Sequence, residues 1–290
     1  MSAPTMIGLS LPDVDIWSDR VVVALGQNPG AFTGPGTNTF LVGTGKQRLL
    51  IDTGDGRPAY LPVLEQALAK AGCQGIQEIV ITHGHPDHLG GMAAVAERFG
   101  VRRVSKLPSP LDGGLSGVEV TPIGDGSVLR SEGATLRAVH TPGHAEDHLC
   151  FVLEEEGALF SGDHVLGIGT TVIPARGGDL LDYMNSLERL LAERPHAIYP
   201  AHGPRIPDGE AKIREYIAHR QEREGEILAA LGEGLASIGE VVRKVYAAYP
   251  EALYPAAGES VCSHLIKLER EGRAARSKGD EPLTARWRLA

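Results

Sequence analysis

The sequence predicts an α+β fold: β-rich units with helices outside them, followed by a separate α-helical module. Two observations carry this. Short runs rich in Val, Ile, Leu and Phe recur from residue 21 to residue 200, broken by Gly- and Pro-containing turns and by three stretches of helical periodicity. After His202 the β-rich pattern stops and a long polar helix takes over. With 42% hydrophobic residues in 290, the chain can bury one large core, or one core and a small appended one.

Val21 to Ala24, Thr39 to Val42 and Arg48 to Asp52 read as strands separated by Gly- and Pro-rich turns. Leu61 to Ala71 places Leu61, Leu64, Leu68 and Ala71 on one helical stripe, stopped by Gly72. Glu78 to Thr82 returns as a strand and Gly90 to Phe99 as a helix. Strands follow at Val101 to Val104, Val118 to Pro122, Thr135 to His140, His148 to Glu154 and Ala158 to Ser161, then helix Leu180 to Ala192 and strand Ala197 to Pro200. Beyond these come helices Glu210 to Leu231 and Ile238 to Ala248, a turn at Pro250 to Pro255, helix Glu259 to Glu271, and a two-strand ribbon ending at Leu289. Helix, helix and ribbon form a winged-helix outline. We expect a catalytic domain over residues 1–204 and a helical linker with a winged-helix-like domain over 205–290.

The chemistry is concentrated at the ends of apolar runs. Thr82-His83-Gly84-His85-Pro86-Asp87-His88 follows Ile79-Val80-Ile81 and packs three imidazoles and a carboxylate into six residues. Imidazole nitrogens and carboxylate oxygens suit Zn(II), and also Fe(II) or Mn(II). The same design recurs in Thr141-Pro142-Gly143-His144, Phe160-Ser161-Gly162-Asp163 and Tyr199-Pro200-Ala201-His202-Gly203. A lone His or Asp of this kind is more often structural, but four such segments in one chain reverse that.

In order and spacing, HxHxDH at 83–88, PGH at 142–144, GD at 162–163 and HG at 202–203 resemble the metallo-β-lactamase superfamily over about residues 20–204. The resemblance implies an αββα sandwich with two divalent metal ions, Zn(II) first among them, at one edge. It implies that His83, His85 and His144 hold one ion, that Asp87, His88 and His202 hold the other, and that Asp163 bridges. Asp52, in Leu50-Ile51-Asp52-Thr53-Gly54, matches the family's first motif, where the carboxylate orients ligands. Asn28-Pro29-Gly30 through Thr39, Asp182 to Leu187 and Tyr216 to Arg220 narrow the resemblance to the lactamase-beta-like protein 2 group, which also carries a winged-helix tail. That group and its neighbours include an endoribonuclease acting on single-stranded RNA and thioesterases of polyketide pathways, so fold alone does not decide the substrate.

Two divalent ions about 3.5–4 Å apart would share a bridging water and lower its pKa from about 15.7 towards neutrality, giving a hydroxide nucleophile. Asp87 is the natural carboxylate to orient that water. His148 either orients a ligand or donates a proton. His164, Thr170, Thr171 and Asn38 are candidates to touch substrate. His140, His196, His219 and His264 read as structural. Relatives in the narrower group often carry an aromatic where this chain has Gly84, which would open the floor of the site. Cysteine is absent from the second ion's shell, where many true β-lactamases have one.

Charge separates the functions. The formal charge is −9, and residues 205–290 hold 14 basic and 14 acidic side chains, so residues 1–204 carry all of the excess. Nucleic-acid binding rests on a basic footprint. The favoured function is therefore a dinuclear metallohydrolase acting on a thioester, lactone or ester of a small or medium acyl substrate. An endoribonuclease is the alternative, with the seven basic and four acidic residues of Lys267 to Arg288 as an RNA track. A DNA-binding regulator, reading with Ser260, Ser263, His264, Lys267 and Arg270, is the remote third. The tail is otherwise expected to wall the cleft or to form a homodimer contact. Cys73, Cys150 and Cys262 form no disulfide framework. No leader pattern and no apolar run of roughly 20 residues is present, so a cytoplasmic or organellar-matrix protein without a membrane partner is expected.

Overall fold

The computed structural model describes residue 6, residues 8–109 and residues 119–290. Among these, one sheet holds β1 (Val14–Ser18), β2 (Val21–Leu25), β3 (Asn38–Val42), β4 (Gln47–Ile51), β5 (Gly75–Val80), β6 (Arg103–Lys106) and β7 (Glu119–Pro122), in sequence order. Val118, expected to open the last of these, lies outside the described residues. Strands β1 to β4 pair antiparallel. From β4 onward pairing is parallel, and helices α1 (Tyr60–Lys70), α2 (Pro86–Leu89) and α3 (Met92–Phe99) lie in the first two crossovers that parallel pairing needs.

The second sheet has the order β12-β11-β10-β9-β8, built from β8 (Val128–Ser131), β9 (Ala134–His140), β10 (Leu149–Leu153), β11 (Ala158–Gly162) and β12 (Ala197–Pro200). Helix α4 (Leu180–Ala192) crosses between the parallel pair β11 and β12. The two sheets pack face to face through alternate residues. Val21, Val23, Phe40 and Ile51 meet Leu136, Phe151, Phe160 and Tyr199. Val22, Ala24, Leu41 and Leu50 turn the other way, onto α1 and α3. Cys150, Val152 and Ile198 likewise turn outward, onto α4. Because both faces are covered, the central strands read as continuous apolar runs rather than alternating ones. Phe40 and Phe160 lock the sheets edge to face at 5.0 Å between ring centroids, a geometry worth about 0.5–1.5 kcal/mol beyond burial. The result is the expected four-layer αββα sandwich.

Two expected helices differ in extent. The helix expected over Gly90 to Phe99 begins two residues later, at Met92, and Gly90 and Gly91 lie so close to the backbone of Asp55 and Thr53 that a side chain at either would overlap it. Helix α5 (Gly209–Gly232) and α6 (Ile238–Val245) form near their expected places, but α7 (Tyr254–Arg270) starts five residues early. Pro255, read as a turn residue, sits in the first helical turn, where a missing N–H costs nothing. The ribbon is β13 (Ala274–Lys278) and β14 (Arg286–Leu289).

Packing is continuous across the expected division at 204/205. The first half of α5 puts Ile213, Tyr216 and Ile217 into the sandwich's outer core. Its second half puts Ile227, Ala230 and Leu231 into a C-terminal core with Val241, Val261, Leu265 and Trp287. The same packing withdraws three of the five side chains expected to read DNA: Ser263, His264 and Lys267 are buried, whereas Ser260 is half-buried and Arg270 exposed. Among the described residues, no helix is long and apolar enough to cross a membrane.

Candidate metal centre

Five strands end at one edge of the sandwich, and the chain leaving each delivers a chemical group. Asp52 follows β4; residues 83–88 follow β5; His144, Asp163 and His202 follow β9, β11 and β12. The edge is closed by β3, where Asn38 N donates to Ala201 O at 2.6 Å and Thr37 bridges to His202. The glycine of the GD motif has a direct cause. Gly162 has φ +50°, and a Cβ there would come within 2.6 Å of His148 Nε2.

Seven side chains converge into two nests that share Asp163. His83, His85, His144 and Asp163 form one; Asp87, His88, Asp163 and His202 form the other, and within each the ligand atoms lie within 4.8 Å of one another. His144 Nε2 is 3.0 Å from His85 Nδ1 and 3.6 Å from Asp163 Oδ2. Asp163 Oδ1 is 3.3 Å from His88 Nε2 and 3.1 Å from His202 Nε2, and Asp87 Oδ2 is 3.3 Å from His202 Nε2. Tetrahedral ligands about 2.0–2.2 Å from a common ion stand roughly 3.3–3.6 Å apart, so the spacing fits. Burial fits too. His83 Nε2, His88 Nε2 and Asp163 Oδ1 are closed to solvent with no hydrogen-bond partner, a costly arrangement unless a cation takes the lone pairs.

The opposite ring nitrogens are occupied, which fixes which nitrogen each imidazole offers. His83 Nδ1 lies 3.0 Å from Thr82 Oγ1, His88 Nδ1 2.8 Å from Asp52 Oδ2, and His144 Nδ1 3.0 Å from Val172 O. Asp52 is itself fixed: its Oδ1 accepts from Thr82 N at 2.9 Å, and its backbone is left-handed at φ 58°.

Electrostatics separate the two nests. Burial, reinforced by His88 and His148, holds His83 well below its ordinary pKa; burial and then His144 lower His85. Burial would lower His88 too, but Asp163 and Asp52 override it and hold that imidazole well above its ordinary value. His202 behaves likewise, burial being outweighed by Asp163 and Asp87, and reaches about 9. Asp163 is held well below the usual carboxylate range: burial opposes its ionisation, but His202 and His88 more than compensate.

The remaining candidates separate by position. His148 is fully buried beneath the centre, its Nε2 accepting from Asp163 N–H at 3.1 Å and its Nδ1 2.8 Å from Thr141 Oγ1. Burial, then His164, keeps its pKa well below the ordinary value, which favours the orienting role over proton donation. Three substrate candidates are corrected. Asn38 is buried and spends its amide on Pro200 O and Gly203 O, tying β3 to the His202 loop. His164 is buried with its ring 4.4 Å from that of Tyr183. Thr171 is buried with Oγ1 3.2 Å from His144 Nδ1, so it supports a ligand instead of facing substrate. Thr170 is half-buried and remains a candidate.

Gly84 does not open the floor. Its face is filled by Asp147, whose Oδ2 lies 3.0 Å from where a Cβ would stand and 2.5 Å from buried Lys106 Nζ. Neither Lys106 nor Asp147 was foreseen, since the two lie 41 positions apart in sequence. Phe32 was also missed. It sits 72% exposed in the turn closed by the Gly30–Gly34 bridge, just before Gly36, whose carbonyl approaches His202 Nδ1. A lone aromatic in a Gly- and Pro-rich loop was the available signal.

Comparison with known proteins agrees with this geometry. Residues 32–202 match the metallo-beta-lactamase superfamily, and residues 237–287 match the beta-lactamase associated winged helix domain. An atrochrysone carboxyl ACP thioesterase of Aspergillus chevalieri is 40% identical over 274 residues, covering 91% of this chain and 86% of that protein. A beta-lactamase-like protein 2 homolog of Drosophila melanogaster is 39% identical over 284 residues, covering 92% and 94%. The crystal structure of a metallo-beta-lactamase family protein from Thermus thermophilus superposes with TM-score 0.73 at 26% identity, over 97% of this chain and 99% of that one.

Proposed function

The chain belongs to the metallo-β-lactamase superfamily and is a hydrolase of that fold, and from this premise we propose that it cleaves an activated acyl bond, a thioester first among them, with two divalent ions in the paired nests. When bound, such ions supply Lewis acidity that polarises a carbonyl oxygen and acidifies water. His83, His85 and His144 would hold one, and Asp87, His88 and His202 the other, with Asp163 between them. Zn(II) suits this nitrogen-rich set, and Fe(II) or Mn(II) would also bind it.

The chain's own groups account for the rest. Asp87 is the most exposed carboxylate of the cluster, with 26% of its side chain open. Burial would raise its pKa, but His202 and His88 lower it, so at neutral pH it is ionised and can orient an attacking water. Phe32, in the loop that leads to Gly36 and the carbonyl facing His202, would offer an apolar contact for an acyl chain, and Thr170 a hydroxyl.

One observation favours acyl over RNA substrate: the cations of the C-terminal tail are already spent. Of the seven basic residues from Lys267 to Arg288, five pair with the chain's own acids. Lys267 and Arg273 engage Glu224 and Glu271, Arg270 engages Asp179, Arg276 engages Glu269, and Arg286 engages Glu240. Phosphate contacts would have to break these pairs, so the tail is a poor track for RNA. The thioesterase relative points the same way. The test is hydrolysis by metal-loaded protein of acyl thioesters and lactones beside a fluorogenic single-stranded RNA, with His88→Ala as control. Acyl cleavage lost in the control is expected; RNA cleavage lost in the control, without acyl cleavage, would overturn the reading.

A further inference from the structure

The reaction needs nothing from the C-terminal helices, yet their polar contacts converge on one segment of the catalytic part. Thr171 O accepts from Arg220 Nη2 of α5 at 2.6 Å, and Ile173 O accepts from Ser263 Oγ of α7 at 2.7 Å. Two residues on, Ala175 N donates to Glu259 Oε2 of α7 at 3.1 Å. The carbonyl between the first two, Val172 O, is the one that faces His144 Nδ1 at 3.0 Å. Three successive carbonyls thus go to α5, to a metal-ligand candidate and to α7.

These anchors are built into the interior. Arg220 and Ser263 are each 5% exposed. The Arg220 guanidinium also lies over the Tyr183 ring at 5.3 Å. Tyr216 of α5 fixes the start of the same connection, accepting from Leu166 N at 2.9 Å and donating to Gly169 O at 2.8 Å. The connection from Asp163 to Asp179 contains no helix or strand of its own, so nothing internal to it sets the direction of Val172 O. A carbonyl that holds the far nitrogen of a ligating imidazole fixes the plane of that ring, and whatever fixes the carbonyl fixes the ring in turn.

We propose that α5 and α7 set the orientation of ligand His144 by clamping residues 171–175, which makes Arg220, Ser263 and Glu259 positioning residues for the metal centre. This gives the winged-helix module a role inside the active site. It rests on the reading of His144 as a ligand.

The test uses the full chain, loaded with Co(II) and titrated against a competing chelator. Ser263→Ala and Glu259→Met remove one anchor each with modest change in volume, and Arg220→Ala and Arg220→Lys compare loss with retention of a donor. Lys244→Ala, which breaks an ion pair with Glu233 in the same module, is the control. Losing a partner that orients a ligand lowers metal affinity by roughly 10–100-fold; one bond further out, a loss of about 3- to 10-fold for one of the two ions is expected. The visible Co(II) spectrum should change with it, Arg220→Lys should recover part of the loss, and Lys244→Ala should match the parent. Parental affinity and spectrum in Ser263→Ala, Glu259→Met and Arg220→Ala together would overturn the clamp. Parental affinity for both ions in His144→Ala would overturn the ligand reading beneath it, which separates the two failures.

Discussion

Asp52 Oδ2 stands 2.8 Å from His88 Nδ1, and both side chains are shut off from solvent. Asn is the apt substitution, because the left-handed backbone at Asp52 is one that Asn also adopts. Asp52→Asn removes the charge that makes His88 a strong donor to a cation. We expect the fold to persist and affinity for the second ion to drop about 10–100-fold, read by chelator competition. Unchanged affinity would mean that Asp52 does not orient this ligand.

The metal-free protein should be less stable in alkali. The His202 pKa, near 9 when folded, exceeds the ordinary imidazole value of 6.5. A raised folded pKa stabilises fully below the unfolded value and is lost as pH rises through the folded one. The melting temperature of chelator-treated protein should therefore fall between pH 6.5 and 9, and His202→Asn should flatten the curve. Because a metal must displace the same proton, affinity should climb across that window. A melting temperature independent of pH there would contradict the assignment.

His148→Phe distinguishes orienting from proton donation. Replacing this imidazole leaves Asp163 N–H without an acceptor, which costs about 1–3 kcal/mol. We expect lower kcat and weaker metal retention with an unchanged shape of the pH–rate profile. Disappearance of one limb of that profile would restore the proton-donor role.

Gly84→Ala should be disproportionately harmful for so small a change. The new methyl would press on Asp147, which cannot yield without loosening its bond to buried Lys106. Overpacking of this kind costs about 1–3 kcal/mol. Calorimetry showing no loss would mean that the pair shifts freely.

Phe32→Ser should raise KM for long-chain acyl substrates about 3- to 10-fold, roughly the worth of one or two buried methylenes, with kcat little changed. An equal effect on short and long chains would remove Phe32 from the substrate's path.

The candidate metal centre was legible in sequence because its His and Asp side chains cluster beside the ends of apolar runs, where strand and turn signals are both strong. The sandwich was legible for the same reason: strands buried on both faces announce themselves. What escaped was what depends on distant partners. Strands β1 and β8 lie at sheet edges and are only partly apolar, with Ile16 and Val128 exposed. Asn38 and Thr171 look like loop residues near a mouth, and only the folded chain shows their side chains turned onto Pro200, Gly203 and His144. Lys106 and Asp147 are 41 positions apart, beyond the reach of any local pattern.

Helix α5 has two addresses, its first turns seated in the sandwich and its last in the winged-helix core. A helix that belongs to two cores ties their melting together, so the chain should unfold in one cooperative transition. Cutting away the tail would strip the apolar flank of Ile227 and Leu231 and leave half a helix dangling. The tail is therefore less a passenger than a keystone.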